Sequence, residues 1–158
     1  LLQRLLDGRY TVIVTPTEDA HPSVTAIPLY REEQRLYCGR GHPLFEGSEP
    51  SGVEVVRRYP YAGRSYMQGR EQERSSGFDS RAMTSHMEAI AILVRSGRYI
   101  GYLPTHFAQP FERRREMRSL LDRELAYFDT FHLAWRKDEQ NRAAALLFRC
   151  LEGVLRRC

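Results

Sequence analysis

Long apolar runs and cysteines are scarce in this sequence. No stretch of the 158 residues reaches the roughly 18–20 apolar residues that a bilayer-spanning helix requires, so no membrane partner is expected. The three cysteines, Cys38, Cys150 and Cys158, are odd in number and far apart. A disulfide framework is therefore not expected, and a reducing compartment is favoured. We predict a cytoplasmic protein.

The sequence also lacks the patterns of common catalytic, metal and cofactor sites. Gly39 and Gly41 precede His42-Pro43 instead of a third glycine and a helix, which favours a hinge over a dinucleotide-binding loop. Cys38 and His42 have no second pair of ligands for a metal. A nucleophile elbow and paired carboxylates at strand ends are also missing. We therefore expect no catalytic residues, no metal and no cofactor.

Composition and charge are those of an ordinary globular domain. Apolar residues make up 42% and charged residues 28% of the chain, and its length allows a buried core. The net charge of +4 is spread along the sequence. The one dense basic run, at 113–115, falls in a predicted surface connection and is more typical of a solvated loop than of a nucleic-acid contact.

Helical and strand-like patterns alternate along the chain. Short apolar runs bounded by proline, glycine or polar residues predict strands at 11–15, 23–30, 35–39, 61–64, 99–103 and 125–135. Apolar residues at helical spacing predict helices at 1–6, from 51 onward, at 85–96 and at 139–157. This alternation predicts an α/β fold.

Three local features sharpen this prediction. Ser85 and Glu88 have the spacing of a capping box at a helix start. Residues 67–81 are polar and aperiodic, which predicts a long loop of the kind that often serves binding. The last helix carries one apolar stripe, which predicts that it packs on a sheet. The stripe comprises Ala143, Leu146, Leu147, Cys150, Leu151, Val154 and Leu155.

The candidate binding residues lie at predicted strand ends and at one helix start. In open α/β sheets, ligands bind beyond the carboxyl ends of the strands. The free N–H groups and the dipole of a helix start favour an anion by about 0.3–1 kcal/mol per charge. The residues at these positions are Thr15 and Pro16, Arg64 and Ser65, Ser85 and His86, and Leu103 and Pro104.

Side chains near these ends suggest what the site binds. Arg64 can make a two-pronged contact with a carboxylate, and Tyr66 or Tyr102 can supply an apolar wall. Each has a plainer interpretation. Arg64 is equally compatible with an exposed strand end, Ser85 is more often a simple helix cap, and Tyr102 is more often part of a core.

Four segments carry a family resemblance across nearly the whole chain. In order and spacing they resemble the effector-binding domain of LysR-type transcriptional regulators. The most specific feature is an apolar helix that ends in Ser-Gly-Arg and leads into a strand that ends in Leu-Pro. The segments are LYCGRGHPLF, YPYAGRSYM, MEAIAILVRSGRYIGYLP and HLAWRKDEQNRAAALLFRCLE.

The resemblance implies a fold like that of the type 2 periplasmic binding proteins. Two α/β lobes, joined by two crossing strands, would then hold a small ligand between them. On this sequence the crossings fall near 36–39 and 131–135, and Phe131 on the second becomes a candidate ligand contact. Lobe I would comprise residues 1–41 and 134–158, and lobe II residues 42–133.

The resemblance also implies segments outside this sequence. The strand and helix that open lobe I, a ligand-contacting loop after that strand, and the N-terminal winged helix-turn-helix that binds DNA are all expected to lie beyond it. In addition, Tyr10-Thr11 stands where many members carry an acidic residue, which leaves that contact unassigned.

We therefore predict a ligand-sensing domain of a bacterial LysR-type regulator. Its expected partners are a small effector, a carboxylate by the argument above, and further copies of itself in a dimer or tetramer. DNA would be contacted only through the domain outside this chain.

Two other functions fit the same fold. A solute-binding protein of a transporter would be distinguished by a leader peptide upstream, and the odd cysteine count disfavours it. An enzyme would need a general base or a covalent cofactor anchor, and the single lysine, Lys137, falls in a predicted turn.

Overall fold

The computed structural model describes residues 1–16, 21–47, 51–65, 75–139 and 141–155. Within these ranges, no helix has the length and apolarity needed to cross a bilayer. The elements in chain order are α1 (Leu2–Leu6), β1 (Val12–Thr15), β2 (Val24–Gly39), α2 (Val53–Val56), β3 (Pro60–Arg64), β4 (Asp79–Thr84), α3 (Met87–Arg95), β5 (Ile100–Pro104), α4 (Thr105–Arg113), β6 (Met117–Leu120), α5 (Asp122–Leu125), β7 (Tyr127–Arg136) and α6 (Arg142–Leu155).

The chain divides into two compact units. Unit 1 contains Leu1–Arg31 and Asp129–Cys158, and unit 2 contains Glu32–Phe128. Both divisions fall inside long strands, the first in β2 and the second in β7. The lobe boundaries expected from the sequence, after residue 41 and before residue 134, lie farther along the chain.

Unit 1 is built on the pairing of β1 with β7. The two strands run antiparallel, with Val12 opposite Trp135 and Thr15 opposite His132. Leu5 of α1 is fully buried, which explains why a short helix with few intrinsic stabilising features forms there. Its partners in the small core of this unit are Ile13, Val24 and Ala134.

Unit 2 is organised by parallel strand pairing. β3 lies between β4 and β5 and runs parallel to both. The end of β2 pairs antiparallel with both β5 and β6. The carboxyl ends of β3, β4 and β5 therefore meet at one edge of the sheet, where α3 follows β4 and α4 follows β5. We call this the carboxyl edge of unit 2.

Two hydrophobic clusters cover the sheet of unit 2, and β2 contributes to both. Leu36 and Cys38 belong to one cluster and Tyr37 to the other, as expected for alternate side chains of a fully buried strand. Gly39 is the last residue of β2. A Cβ atom at this position would lie 2.2 Å from the carbonyl oxygen of Val94. Only glycine therefore permits this approach of α3 to β2.

The glycines at 39 and 41, predicted to form a hinge, both lie inside unit 2. The predicted helix at 85–96 is confirmed as α3. Gly97 follows it with φ of +70° and donates its N–H to the carbonyl of Val94 at 3.1 Å, which is the left-handed termination that glycine favours.

Several local predictions were wrong. The strands predicted at 23–30 and 35–39 form one continuous strand, β2, because the polar residues between them remain extended. Strand β4 begins within the loop predicted at 67–81, of which residues 67–74 lie outside the described ranges. Helix α4 and strand β6 were not predicted, since their short apolar patterns are interrupted by arginines and by Pro110.

The apolar stripe predicted for the last helix does not pack on a sheet within the described residues. Leu146 and Leu147 are 61% and 41% exposed. The helix instead turns a different face inward, with Ala144 buried and the ring of Phe148 centred 4.3 Å from that of Trp135. The spacing of the apolar residues predicted the position of the helix but not which of its faces is buried.

Two isoleucines on α3 test the core of unit 2. Ile90 is fully buried and Ile92 is 66% exposed. We expect Ile90→Ala to lower the free energy of unfolding by about 2–5 kcal/mol, because it removes buried methylene groups and leaves a cavity. Ile92→Ala makes the same chemical change on the exposed face and is expected to alter stability by less than about 0.5 kcal/mol. Urea unfolding monitored by circular dichroism measures both, and equal losses would contradict the packing described.

Candidate functional site

Arg64 ends β3 at the carboxyl edge and is only 4% exposed. The alternative of an exposed strand-end arginine is therefore wrong. Its Nη2 donates to Oε1 of Gln34 at 3.2 Å and to the hydroxyl of Tyr127 at 3.4 Å. A buried cation is tolerated only when polar groups replace its water. These contacts hold the guanidinium at a fixed place on the edge.

The contacts of Arg64 continue as a chain of polar side chains. Gln34 is fully buried and donates from Nε2 to Oε2 of Glu32 at 2.6 Å. Oε1 of Glu32 lies 3.7 Å from Nδ1 of His106, in the first turn of α4. We call Arg64, Gln34, Tyr127, Glu32 and His106 the Arg64 network. It joins the ends of β3 and β5, since Gln34 lies opposite Pro104 in the sheet.

Sequence reasoning named only Arg64 among these five residues. The signal for Gln34 was present but weak. It shares a strand face with Leu36, so an amide occupies a position where the pattern calls for an apolar side chain. Such an inward-facing polar residue must be hydrogen-bonded, which marks it as a structural or binding group. Tyr127, Glu32 and His106 carry no comparable local signal.

The start of α3 also lies at the carboxyl edge. Ser65 follows the last residue of β3, and its N–H donates to the carbonyl of Thr84, which ends the adjacent parallel strand β4, at 2.9 Å. Ser85 and His86 follow and are both exposed. His86 is the N-cap of α3, and its side chain makes no capping bond to any described residue of the helix. Its own N–H donates to Oγ1 of Thr84 at 3.2 Å.

The predicted capping box of Ser85 and Glu88 is therefore wrong. The helix begins one residue later than the motif requires, so Glu88 occupies the second helical position instead of the third. Among the described residues, the side chain at the N-cap makes no hydrogen bond to the first turn of α3.

Tyr102, Leu103 and Pro104 lie in β5 and are buried. The hydroxyl of Tyr102 donates to the carbonyl of Leu125 at 3.1 Å, and its ring packs edge-on against that of Tyr127 at 5.2 Å. Tyr102 is thus a core residue, and its ring packs against Tyr127 of the Arg64 network. Its role as a ligand-contacting wall stays a prediction.

The remaining candidates lie elsewhere. Thr15 is buried at the end of β1 in unit 1, and Pro16 follows it. Phe131, also in unit 1, stacks on Tyr30 with ring centroids 4.8 Å apart and planes 8° from parallel. Tyr66 lies outside the described residues. The residues that the structure brings together at the carboxyl edge are Arg64, Ser65, Ser85, His86, Leu103 and Pro104.

The side chain of His42, which lies after the end of β2, makes contacts that stabilise the fold. Nδ1 of His42 accepts the N–H of Leu44 at 3.1 Å, and its ring centroid lies 4.8 Å from that of Tyr59. Nε2 is buried without a hydrogen-bond partner among the described residues, and burial lowers the pKa of this imidazole. Cys38 is packed in the core. In the described part of the chain, no three acidic, histidine or cysteine side chains are grouped to hold a metal.

A protein-family model and a curated relative both match this chain. The model described as "LysR substrate binding domain" matches residues 1–156. The "HTH-type transcriptional activator BauR" of Pseudomonas aeruginosa is 33% identical over 152 residues, which is 95% of this chain and 49% of that protein. The chain therefore spans about half the length of the curated relative it matches.

Solved structures show the same fold. The bromide-bound regulatory domain of HypT from Salmonella typhimurium matches with a TM-score of 0.80 and 16% identity, over 99% of this chain and 78% of that one. The cofactor-binding domain of the Cbl transcriptional regulator matches with a TM-score of 0.75 and 21% identity, over 96% and 68% of the two chains. The predicted α/β, periplasmic-binding-protein-like two-lobed fold is confirmed.

Gln34 provides a test of the Arg64 network. Gln34→Leu keeps a similar shape but removes the carbonyl that accepts from Arg64. We expect the free energy of unfolding to fall by about 1–3 kcal/mol, because a buried charged donor loses an acceptor. Gln109→Leu makes the same change at an exposed position of α4 and is expected to change stability by less than about 0.5 kcal/mol. Denaturant unfolding compares them, and similar values for both variants would count against the network.

His42 provides a test with pH. Burial holds its folded-state pKa below the unfolded value of about 6.5. Below that pH the unfolded chain therefore binds more protons, and the free energy of unfolding falls as the solution is acidified. His42→Asn retains an acceptor for the Leu44 N–H but does not titrate, so we expect a shallower fall.

His21→Asn is the matched control, because Nδ1 of His21 accepts the N–H of Ser23 at 3.2 Å in the same local geometry. Urea unfolding at a series of pH values between about 7.5 and 5 covers the relevant window. An unchanged slope in His42→Asn would refute this assignment.

Proposed function

Because the chain belongs to the LysR substrate-binding domain family, we propose that it is the effector-sensing part of a bacterial DNA-binding regulator and that its effector is a small carboxylate. DNA binding is assigned to a helix-turn-helix outside this chain, and the working form is a cytoplasmic homo-oligomer, dimer or tetramer. The name of the relative BauR describes it as a helix-turn-helix-type transcriptional activator. This description supports the regulator over the solute-binding alternative.

The observation that carries the carboxylate assignment is the buried Arg64 at the carboxyl edge. Its guanidinium is held by Gln34 and Tyr127 before any ligand arrives, so little side-chain entropy remains to be lost on binding. Arginine matches a carboxylate in shape as well as in charge. The burial of Arg64 therefore favours a carboxylate over an uncharged ligand.

Two helix starts support the same assignment. α3 begins at Met87 and α4 at Thr105, both directly after strands that end at this edge. Within the described part of the chain, neither N-cap side chain bonds to its own helix. Each helix dipole favours a nearby negative charge by about 0.3–1 kcal/mol, so an anion at this edge is attracted by both helices and by Arg64.

The proposed role is binding without a chemical step. An effector shifts a regulator between two arrangements only by its difference in affinity for them. A tenfold difference corresponds to about 1.4 kcal/mol, which lies within the usual range of allosteric coupling. That residues of both lobes, including Thr15, Pro16 and Phe131, contact the effector stays a prediction from the family resemblance.

Calorimetric titration of a carboxylate panel tests the proposal. The panel contains aliphatic, aromatic and amino-group-bearing acids. We expect the tightest member to bind Arg64→Gln at least tenfold more weakly, because hydrogen bonds to charged groups contribute about 1.5–3 kcal/mol. Arg98→Gln removes the same charge from an exposed position of unit 2 and is expected to bind normally.

Folding of Arg64→Gln is checked by a thermal scan. If this variant unfolds, Arg64→Lys keeps the charge but loses the fork-shaped donor set, and reduced affinity is again expected. Native affinity in a folded Arg64 variant would remove Arg64 from the site, and no binding by any carboxylate would refute the effector class.

A further inference from the structure

A polar cavity lies in unit 2, beside β6. Its volume is about 520 Å³, which lies within the range of ligand pockets. Met117, on the cavity wall, is paired with Gly39 at the end of β2. The preceding residue of β2, Cys38, lies opposite Ile100, where β5 begins. The cavity is therefore at the opposite end of the sheet from the carboxyl edge. We call it the β6 cavity.

Two arginines of the β6 cavity are held in place by backbone carbonyls. Nε and Nη2 of Arg40 donate to the carbonyl of Arg115 at 3.1 and 2.9 Å. Nη1 of Arg118 donates to the carbonyls of Phe45 and Gly47 at 3.3 and 3.0 Å. A carbonyl oxygen is a neutral acceptor, so the bonds to the carbonyl of Arg115 orient the guanidinium of Arg40 without neutralising its charge. The orientation is set before any ligand binds.

The lining combines positive charge with apolar surface. Arg115 adds a third guanidinium, against the carboxylates of Glu46 and Glu112. Burial is the main reason that the pKa of Glu112 is raised. The half-buried ring of Phe45 supplies apolar surface on the same cavity, so the lining suits a molecule with both an anionic and an apolar part.

We propose that the β6 cavity binds a small organic oxyanion, a carboxylate or a phosphate monoester. Arg40, Arg115 and Arg118 bind the oxyanion, and the carbon skeleton packs on Phe45. The guanidinium fork fits both oxyanions. This site is distinct from the proposed effector site and does not depend on it, so the domain has places for two ligands. If they are coupled, each changes the affinity of the other by the same factor.

Nuclear magnetic resonance of the ¹⁵N-labelled 158-residue chain tests the proposal, with phenyl phosphate and benzoate as probes. They share an aromatic ring and differ in the oxyanion, so their relative affinities identify which one the cavity prefers. We expect at least one probe at millimolar concentration to shift the backbone amides of Phe45, Arg115 and Met117 to Ser119. Inorganic phosphate lacks the apolar part and is expected to bind at least tenfold more weakly than phenyl phosphate.

Variants decide which arginines carry the effect. Arg115→Gln removes an exposed cavity arginine and is expected to weaken the binding of the effective probe at least tenfold. Arg123→Gln removes the same charge from an exposed position of α5 outside the lining, and Arg64→Gln disrupts the other site. Both are expected to leave these shifts unchanged.

Three results would overturn the proposal. The first is the absence of shifts around the β6 cavity with both probes. The second is equal affinity in Arg115→Gln and Arg123→Gln. The third is inorganic phosphate binding as tightly as phenyl phosphate, which would remove the apolar contribution.

Discussion

The parallel pairing of β3 with β4 and β5 is the constraint on which the site depends. Parallel strands bring their carboxyl ends to the same edge, so Arg64 at the end of β3 meets the residues that follow β4 and β5. The helices after those strands necessarily begin there as well. A cation and two helix starts from separate parts of the sequence are thus gathered by sheet topology, and the carboxylate of Glu32 lies in the same network.

Burial of Arg64 has a cost that the fold must offset. Moving a guanidinium out of water is unfavourable by several kcal/mol unless polar partners replace the lost hydration. Gln34 and Tyr127 supply part of that replacement, and Tyr102 packs against Tyr127 from the core. Under the proposed function, the residues that stabilise the arginine also orient it for the effector, which would link stability to recognition.

Local sequence patterns predicted some elements of the structure, whereas features that depend on distant residues were not predicted. The helix Met87–Arg95, its termination at Gly97 and the end of β5 at Pro104 are set by local patterns, and the sequence predicted them. The continuity of β2, the covered face of the last helix and the position of the α3 cap depend on what packs nearby, and the sequence did not show them. Arg64 was identified as a candidate, but its partners Gln34 and Tyr127 are distant in sequence and meet it only in the folded chain.

Mapping of backbone amides on addition of a carboxylate is the most direct measurement of the central claim. With the tightest acid from the calorimetric panel, we expect the largest shifts on Ser65, on His86 and the first turn of α3, and on the first turn of α4. Shifts concentrated on α6 or around the β6 cavity, with none at the carboxyl edge, would contradict it.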